Sequence, residues 1–218
     1  MIAEDWSFKS DDVAQSFMDH VRGQLPFYDL VTKSICKIAR NFIKENYLVY
    51  DVGCSTGNMA IELKPLLEKR NALYCGLDNS PSLLSLNKLS KHPNMNFIEQ
   101  DVCDYEYQKF DFCIVNLTLM FLDPEKREVL IQTLRQKCKK HGAIVITEKI
   151  YPPDGFYSTI NNRLLWNWKM ENNTAEDVIK KELSLEGIQV PLMRDELKGF
   201  SEWFRFGDFS SYIYIKEA

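Results

Sequence analysis

The feature that most restricts the fold is a regular alternation of apolar, β-rich segments with longer amphipathic segments, which begins near residue 46. Five of these segments are predicted strands: 47–53, 72–78, 95–101, 110–116 and 142–149. Three segments between them are predicted helices: 58–70, 80–91 and 123–140. Several predicted strands are apolar along nearly their whole length, as strands covered by helices on both faces are. The alternation therefore predicts an α/β fold with a doubly wound, mostly parallel sheet.

Helical segments flank this alternating core. Residues 1–45 are predicted to hold N-terminal helices with a break near Gly23–Pro26, and residues 156–200 a mostly helical insert. Two alternating strands then meet at Gly207–Asp208, which is a β-hairpin signal. A parallel α/β sheet that ends in an antiparallel hairpin is the order of the class I methyltransferase (Rossmann-like) fold. Since no repeat or linker interrupts the chain, residues 1–218 are predicted to form one domain.

Composition and charge exclude several classes of protein. The formal net charge is −4 and the pI about 5.5, whereas direct nucleic-acid binding requires a basic face, so no such contact is expected. No apolar run approaches the ~20 residues of a membrane span, and the acidic N-terminal segment is unlike a signal peptide. A cytoplasmic protein is expected. The six cysteines form no CxxC pair and the three histidines stand apart, so no metal centre is expected.

The turn after the first predicted strand reads D-V-G-C-S-T-G, residues 51–57. Gly53 and Gly57 bracket three small residues, so the backbone can turn sharply and lie close to a ligand. A dinucleotide fingerprint has a second glycine where this turn has Ser55. The acid Asp51 precedes the turn and suits a cationic ligand better than a diphosphate. S-adenosylmethionine (SAM) carries a sulfonium and an ammonium but no phosphate, and it is therefore the predicted cofactor.

Polar side chains also stand at the ends of the next three predicted strands. Asp78 is placed to accept hydrogen bonds from both ribose hydroxyls, and Asp101, with apolar Val102 beside it, to accept one from the adenine amine. Asn116 ends the fourth strand. Each aspartate alone is equally well explained as a helix N-cap or turn residue. Their recurrence at successive strand ends, where open α/β sheets bind ligands, favours a SAM site.

Five segments carry a resemblance to a known family: EDWSFKSDDVAQSF near the N-terminus, GLDNSP, NLTLMFL, ITEK and EWFRFGDFSSYIYIK. They resemble the carboxy-S-adenosyl-L-methionine synthase family over nearly the whole chain, including the Asp5–Trp6 segment, which generic methyltransferases lack. The resemblance implies that the SAM methyl is deprotonated to an ylide that captures carbon dioxide released from prephenate. The products would be phenylpyruvate and carboxy-SAM, which serves a separate enzyme that modifies the wobble uridine of tRNA. The resemblance also implies a homodimer.

The resemblance further implies which residues bind the cofactor. The family's binding positions match Tyr28, Gly53, Cys54, Ser55, Asp78, Asn79, Asp101, Val102 and Asn116. The family holds the new carboxylate with an arginine in the helical insert, but the matching segment here, DVIKKELSLEGIQ, has no arginine. The candidate replacements are Lys180 and Lys181 within the segment and Arg194 beyond it. Lysine lacks the bidentate geometry of arginine.

Three hypotheses of function stay open on the sequence. The first is a carboxy-SAM synthase, and the second is a SAM-dependent methyltransferase that acts on a small molecule or nucleic acid. The fourth strand ends in NLTLMF rather than an NPPY-like motif, which disfavours methylation of exocyclic amines. The third is a non-catalytic SAM-binding subunit, which the intact loop and Asp78 disfavour. The general base is unassigned: Tyr28, Glu148 and the aromatics of the terminal hairpin are candidates by position only.

Overall fold

The computed structural model describes residues 21–217, and a mixed seven-stranded sheet forms its centre. The strands are β1 Leu48–Val52, β2 Leu73–Asp78, β3 Met95–Glu99, β4 Phe110–Asn116, β5 Cys138–Lys149, β6 Ser201–Phe206 and β7 Phe209–Ile215. Their order in the sheet is β3-β2-β1-β4-β5-β7-β6. Strands β1 to β5 pair in parallel, whereas β7 pairs antiparallel to both β5 and β6. The direction of winding reverses between β1 and β4, which is where such sheets bind ligands.

One of the six helices below precedes β1, and the others lie on connections between strands. The helices are α1 Tyr28–Ala39, α2 Asn58–Arg70, α3 Pro81–Ser85, α4 Pro124–Lys137, α5 Gly155–Met170 and α6 Ala175–Ser184. The starts of α4, α5 and α6 follow from their cap residues, because the side chains of Asp123, Asp154 and Thr174 accept hydrogen bonds from backbone N–H groups of the first turn. Pro124 at the first position of α4 has no N–H that would need a partner.

The apolar core lies on both faces of the central strands. Strands β1 and β4 are buried along nearly their whole length, as their continuous apolar sequences predict. Helices α1 and α2 cover one edge of this core with residues spaced three or four apart, including Ile35 of α1 and Leu63 and Leu67 of α2. The central strands are therefore rigid, and they hold the loops at their carboxyl ends in fixed positions.

The structure confirms the predicted α/β fold, the terminal hairpin and the positions of the five core strands. The hairpin turns at Gly207–Asp208, as predicted, and Gly207 adopts a φ of 58°. The predicted break in the N-terminal helices is also present, because helical residues 21–24 end just before α1 begins. The predicted helix before it lies mostly outside the described residues, as does the Asp5–Trp6 segment.

Three predicted boundaries are wrong. The third predicted strand, 95–101, ends at Glu99, so Asp101 lies in the loop after β3 rather than at the strand end. The helix predicted for 80–91 ends at Ser85, because the side chain of buried Asn87 accepts the Leu89 N–H at 2.8 Å and stabilises a turn there. The helix predicted to run to residue 140 ends at Lys137, and β5 starts at Cys138 rather than at 142. The pairing of β5 with β4 shifts its register between Phe110 and Phe112, and His141 adopts a left-handed conformation. The strand therefore continues through a bulge, which hydrophobic periodicity does not reveal.

Candidate functional site

A cavity of about 430 Å³ opens at the carboxyl ends of the parallel strands, at the point where the strand order reverses. Its wall includes nearly all the predicted cofactor residues: Tyr28, Asp51, Gly53, Cys54, Ser55, Asp78, Asn79, Asp101, Val102 and Asn116. Gly57 does not line the cavity but shapes the loop that does. The structure thus gathers residues from five separate segments of the chain into one cavity.

The glycine loop joins β1 to α2 and is in close contact with its neighbours. Gly53 has a φ of 78°, and a Cβ atom there would lie 2.2 Å from Oγ1 of Thr118. Gly57 has a φ of 82° immediately before α2, and a Cβ atom there would lie 2.5 Å from Nδ2 of Asn87. Both positions therefore require glycine for backbone conformation and for space, as the sequence predicts. Ser55 between them is also left-handed, with a φ of 51°.

Asp78, at the end of β2, connects this loop to the next one. Its Oδ2 accepts the Ser55 N–H and its Oδ1 accepts the Ser80 N–H, both at 2.9 Å. Burial raises the pKa of Asp78, and the two backbone N–H groups oppose that shift. The carboxylate thus has a fixed orientation in the cavity wall, and each oxygen still has capacity to accept a further hydrogen bond.

Asp51 contributes an acidic side chain to the cavity wall. The residue is buried in β1, and its carboxylate accepts a short hydrogen bond from the Tyr74 hydroxyl. Burial raises the pKa of Asp51 to about 7; the hydrogen bond from Tyr74 opposes this shift, and the charge of Asp78 adds to it. A cation in the cavity would favour the ionised form of this carboxylate, so Asp51 is suited to a positively charged ligand.

The side of the cavity formed by the loop after β3 combines a polar and an apolar residue. Asp101 accepts the Cys103 N–H at 2.8 Å and therefore does act as a turn residue, as well as lining the cavity. Val102 is buried beside it, and its carbonyl accepts the Tyr107 hydroxyl at 2.9 Å. An apolar wall next to a fixed carboxylate is suited to a flat ring that carries an amine.

Two buried polar atoms in the cavity wall stand out by their lack of a hydrogen bond within the described part of the chain. Oγ of Ser55 and Oε1 of Gln24 make no hydrogen bond with any group in residues 21–217. Buried polar atoms are rarely left without a partner, since their loss of hydration is unfavourable. Both atoms fit a ligand with polar groups. The sequence offered no signal for Gln24, because a polar residue at a predicted break between helices is ordinary. The protein thus has the donor and acceptor set that SAM requires.

The opposite half of the cavity is formed by β5 and the helical insert, and it is cationic. Lys149 ends β5, Lys169 belongs to α5 and Lys181 to α6, and all three line the cavity together with Glu182. Lys169 donates a short hydrogen bond to Glu182, and Lys149 donates one to Gln189 at 3.3 Å. Burial lowers the pKa of Lys149, and it lowers the pKa of Lys181 to about 7.

The structure separates the three predicted candidates for carboxylate binding. Lys181 is 5% exposed and lines the cavity, whereas Lys180 is exposed and pairs with Glu176 at 2.7 Å. Consecutive residues of a helix point about 100° apart, so the two lysines belong to different faces of α6. Arg194 begins the short 3₁₀ helix Arg194–Leu197 and also lies outside the cavity wall. Of the three, Lys181 alone is positioned to contact a ligand in the cavity.

Lys149 and Lys169 are not among the site residues predicted from the sequence. Lys149 ends the fifth strand. The rule that polar residues at the carboxyl ends of the strands bind the ligand would therefore have selected it. Lys169 has no such signal, because an amphipathic helix does not reveal which neighbour covers it.

Glu148 was a candidate for the general base by its position in the sequence, but in the structure it holds a backbone segment in place. It is fully buried, lies outside the cavity wall, and accepts the backbone N–H groups of Thr118, Leu119 and Met120 at 2.8, 2.7 and 3.1 Å. Burial raises the pKa of Glu148 to about 7, while these N–H groups and Arg127 oppose the shift. Its carboxylate fixes the segment after β4 that lines the cavity.

The aromatic residues of the terminal hairpin mainly pack in the core. Phe204, Phe206 and Phe209 surround Phe27, with ring centroids 5.3–5.7 Å apart. Phe209 also reaches the cavity wall.

The described residues, 21–217, contain no cluster of three His, Cys, Asp or Glu side chains that could hold a metal ion. None of the helices in this range has the length and apolar character that a membrane span needs.

The strand order and the place of the cavity are those of the class I methyltransferase fold. A family model described as a methyltransferase domain matches residues 49–142. Human N-acetylserotonin methyltransferase, solved in complex with SAM, superimposes with a TM-score of 0.61 at 16% identity, over 97% of this chain and 58% of that one. Magnesium protoporphyrin IX methyltransferase from Synechocystis PCC 6803 superimposes with a TM-score of 0.60, also at 16% identity, over 90% of this chain and 86% of that one.

Sequence similarity to curated proteins is more specific. The carboxy-S-adenosyl-L-methionine synthase of Staphylococcus epidermidis is 34% identical over 97% of both chains. The synthase of Wolinella succinogenes is 30% identical over 94% of this chain and 92% of its own. This chain belongs to the carboxy-S-adenosyl-L-methionine synthase family.

Proposed function

We propose that this protein is a SAM-dependent transferase that converts SAM and prephenate to carboxy-SAM and phenylpyruvate. Family membership supports the reaction. The structural observation that carries the proposal is the pairing, in one cavity, of an acidic half built on the glycine loop with a cationic half built on three lysines. Carboxy-SAM would then serve a separate enzyme that modifies tRNA, so this protein would need no tRNA contact of its own.

The acidic half is proposed to hold SAM. Asp78 would accept hydrogen bonds from the ribose hydroxyls, and Asp101 with Val102 would bind the adenine. Asp51 and Asn116 lie nearer the centre of the sheet, where the cationic methionine part would find a carboxylate and an amide. Tyr28, whose hydroxyl accepts a hydrogen bond from Asn58 at 3.4 Å, would close this half from the α1 side.

The cationic half is proposed to hold prephenate, which carries two carboxylates. Lys149, Lys169 and Lys181 face a single acidic side chain of this half, Glu182, so basic groups are in excess there, as a substrate with carboxylates requires. A neutral methyl acceptor would gain nothing from three lysines that have been removed from water. The charge of this half therefore favours the synthase over a methyltransferase acting on a neutral substrate.

The proposed reaction balances without a protein base. SAM supplies the methyl carbon and the sulfonium that acidifies its hydrogens. Prephenate loses carbon dioxide and hydroxide as its ring becomes the aromatic ring of phenylpyruvate. The methyl group loses one proton, which forms water with that hydroxide, and its carbon forms a bond to the carbon dioxide. The protein would bind both substrates, orient them and exclude water from the space between them.

The proposal is tested by mass spectrometry of a reaction with SAM and prephenate. We expect a product heavier than SAM by one carbon dioxide, together with phenylpyruvate in equal amount. The matched control replaces prephenate by phenylpyruvate, which has no carbon dioxide to release through aromatisation, and should give no product. Absence of carboxy-SAM from the complete reaction, with S-adenosylhomocysteine formed when methyl acceptors are added, would instead identify a methyltransferase.

We also infer a homodimer formed through the outer faces of α5 and α6. Large apolar side chains are exposed there, among them Phe156 at 74% and Leu183 at 64%. Soluble monomers rarely expose large apolar patches, and a second copy of the chain would cover this one. The same two helices carry Lys169 and Lys181, so the dimer would also hold the cationic half of the cavity in place.

Sedimentation of a Phe156→Ser, Leu183→Glu variant tests the dimer. We expect the wild-type protein to sediment as a dimer and the variant as a folded monomer, since a charge and a hydroxyl would be buried without partners at the interface. Val129→Glu is the control, because Val129 is 65% exposed but belongs to α4. A monomeric wild-type protein, or a variant that stays dimeric, would contradict the inference.

A further inference from the structure

The cationic half of the cavity contains a carboxylate of the protein itself. Glu182 lies among three lysines that reach the cavity from β5, α5 and α6, and its carboxylate is in contact with Lys169. Burial alone would raise the pKa of Glu182, but the charge and hydrogen bond of Lys169, with further contributions from Lys149 and Lys181, lower it instead. Glu182 is therefore an anion that the free protein itself provides beside these lysines, and Asp208 adds a weaker negative charge near Lys149.

The two partners of this ion pair differ in their access to water. The Lys169 side chain is 11% exposed, whereas that of Glu182 is 37% exposed. Lys169 cannot turn into solvent without leaving the cavity wall, and as a buried cation it needs an anionic partner. Glu182 can regain hydration by a rotation of its own side chain, because more than a third of that side chain is already in contact with solvent. An entering anion would thus replace Glu182 rather than Lys169.

We propose that Glu182 is a specificity-determining residue, whose carboxylate neutralises Lys169 in the free protein and is exchanged for a carboxylate of the substrate. The inference rests on the proposed function in one respect, namely that the substrate is a carboxylate that enters this half of the cavity. Glu182 then competes with the substrate for Lys169 and lowers the formal charge of the lysine group from +3 to +2. Its charge opposes the binding of anions, and of dianions more than of monoanions.

A purely structural role for the ion pair predicts the opposite result. If Glu182 only fastens α6 to α5, its removal should loosen the insert and weaken the binding of any anion. If Glu182 is a removable counter-ion, its neutral isostere should strengthen anion binding. The increase should be larger for a dianion than for a monoanion, because the removed repulsion scales with ligand charge.

Calorimetry with malonate and acetate as probes on the SAM-loaded protein distinguishes the two roles. Glu182→Gln should tighten malonate binding by about fivefold or more and acetate binding by less. Glu176→Gln is the control, since Glu176 belongs to the same helix but pairs with Lys180 away from the cavity, and it should change neither affinity. Lys169→Gln should weaken malonate binding, and adding Glu182→Gln to it should restore little.

A measurement on the wild-type protein covers the case in which Glu182→Gln fails to fold. Carbon-13 NMR of the glutamate carboxylates should show a rise in the pKa of Glu182 when malonate is added. Weaker or unchanged malonate binding in a folded Glu182→Gln variant, malonate binding absent from both proteins, or an unchanged Glu182 pKa would overturn the inference. These probes do not depend on the carboxylation reaction. Failure to form carboxy-SAM would overturn the proposed function and leave this inference standing.

Discussion

Replacing Asp78 by alanine is expected to weaken SAM binding by at least about 3 kcal/mol, or roughly 100-fold. In the proposed complex the carboxylate would accept both ribose hydroxyls, and charge-assisted hydrogen bonds in a buried site are among the strongest that proteins make. The variant also loses the acceptor for the N–H groups of Ser55 and Ser80, so the glycine loop loses its attachment to β2. Isothermal titration calorimetry with SAM measures the effect.

Glu99→Gln is a close control for this experiment. Glu99 ends β3 directly beside Asp78 in the sheet, but it is exposed and lies outside the cavity. Its substitution should leave SAM affinity unchanged. The fold of the Asp78→Ala variant should persist, because a side chain at a strand end contributes little to the core, and circular dichroism verifies this. A folded Asp78→Ala protein that binds SAM as the wild type does would remove Asp78 from the proposed site.

The second large effect is expected at Lys181. Lys181→Gln should reduce carboxy-SAM formation at low prephenate concentration by about 10- to 100-fold, the equivalent of one lost charge-assisted hydrogen bond of about 1.5–3 kcal/mol. SAM affinity should change little, because Lys181 lies in the half of the cavity opposite the glycine loop. Lys180→Gln removes the same charge from the neighbouring position but outside the cavity, and it should leave the activity intact. Equal losses in both variants would argue against a binding role for Lys181.

The pKa of Lys181 adds a pH dependence to this prediction. Burial lowers this pKa to about 7, so the side chain is cationic below pH 7 and becomes neutral above it. A substrate carboxylate binds the cation, and therefore the KM for prephenate should rise as the pH increases above 7. Lys181→Arg stays cationic throughout this range and should give a KM that is nearly independent of pH. A wild-type KM that falls with increasing pH would contradict the assignment.

The cofactor half could be predicted from the sequence because its residues are tied to local patterns. Gly53 and Gly57 are required by the conformation and space of the loop, and Asp78 and Asn116 end apolar strands that periodicity identifies. Parallel strands bring their carboxyl ends together by topology alone, so the clustering of these residues follows from the fold. Tyr28 was predicted only from the resemblance to a family. It begins a helix, and no local sequence pattern links such a position to the cofactor site.

Apart from Lys149, which ends a strand, the cationic half could not be predicted in the same way. Its lysines come from a strand and two helices of the insert, and their convergence depends on how α5 and α6 pack over the sheet. Helix periodicity separates Lys180 from Lys181 but does not decide which of the two faces the cavity. Two predicted element boundaries were wrong for a similar reason. The Leu89 N–H that the Asn87 side chain accepts after α3 and the bulge in β5 are set by local geometry rather than by hydrophobic pattern.

The position of β7 in the sheet has a consequence for how a newly made chain folds. Residues Ala143 to Lys149 of β5 pair with β7, yet the entire helical insert and β6 are synthesised between the two strands. During translation the apolar β5 therefore has one edge that no strand of the nascent chain covers until β7 leaves the ribosome. An uncovered apolar edge is a template for pairing with other chains, so aggregation competes with folding throughout this interval. The cavity is completed at the same late moment, because Phe209 of β7 forms part of its wall.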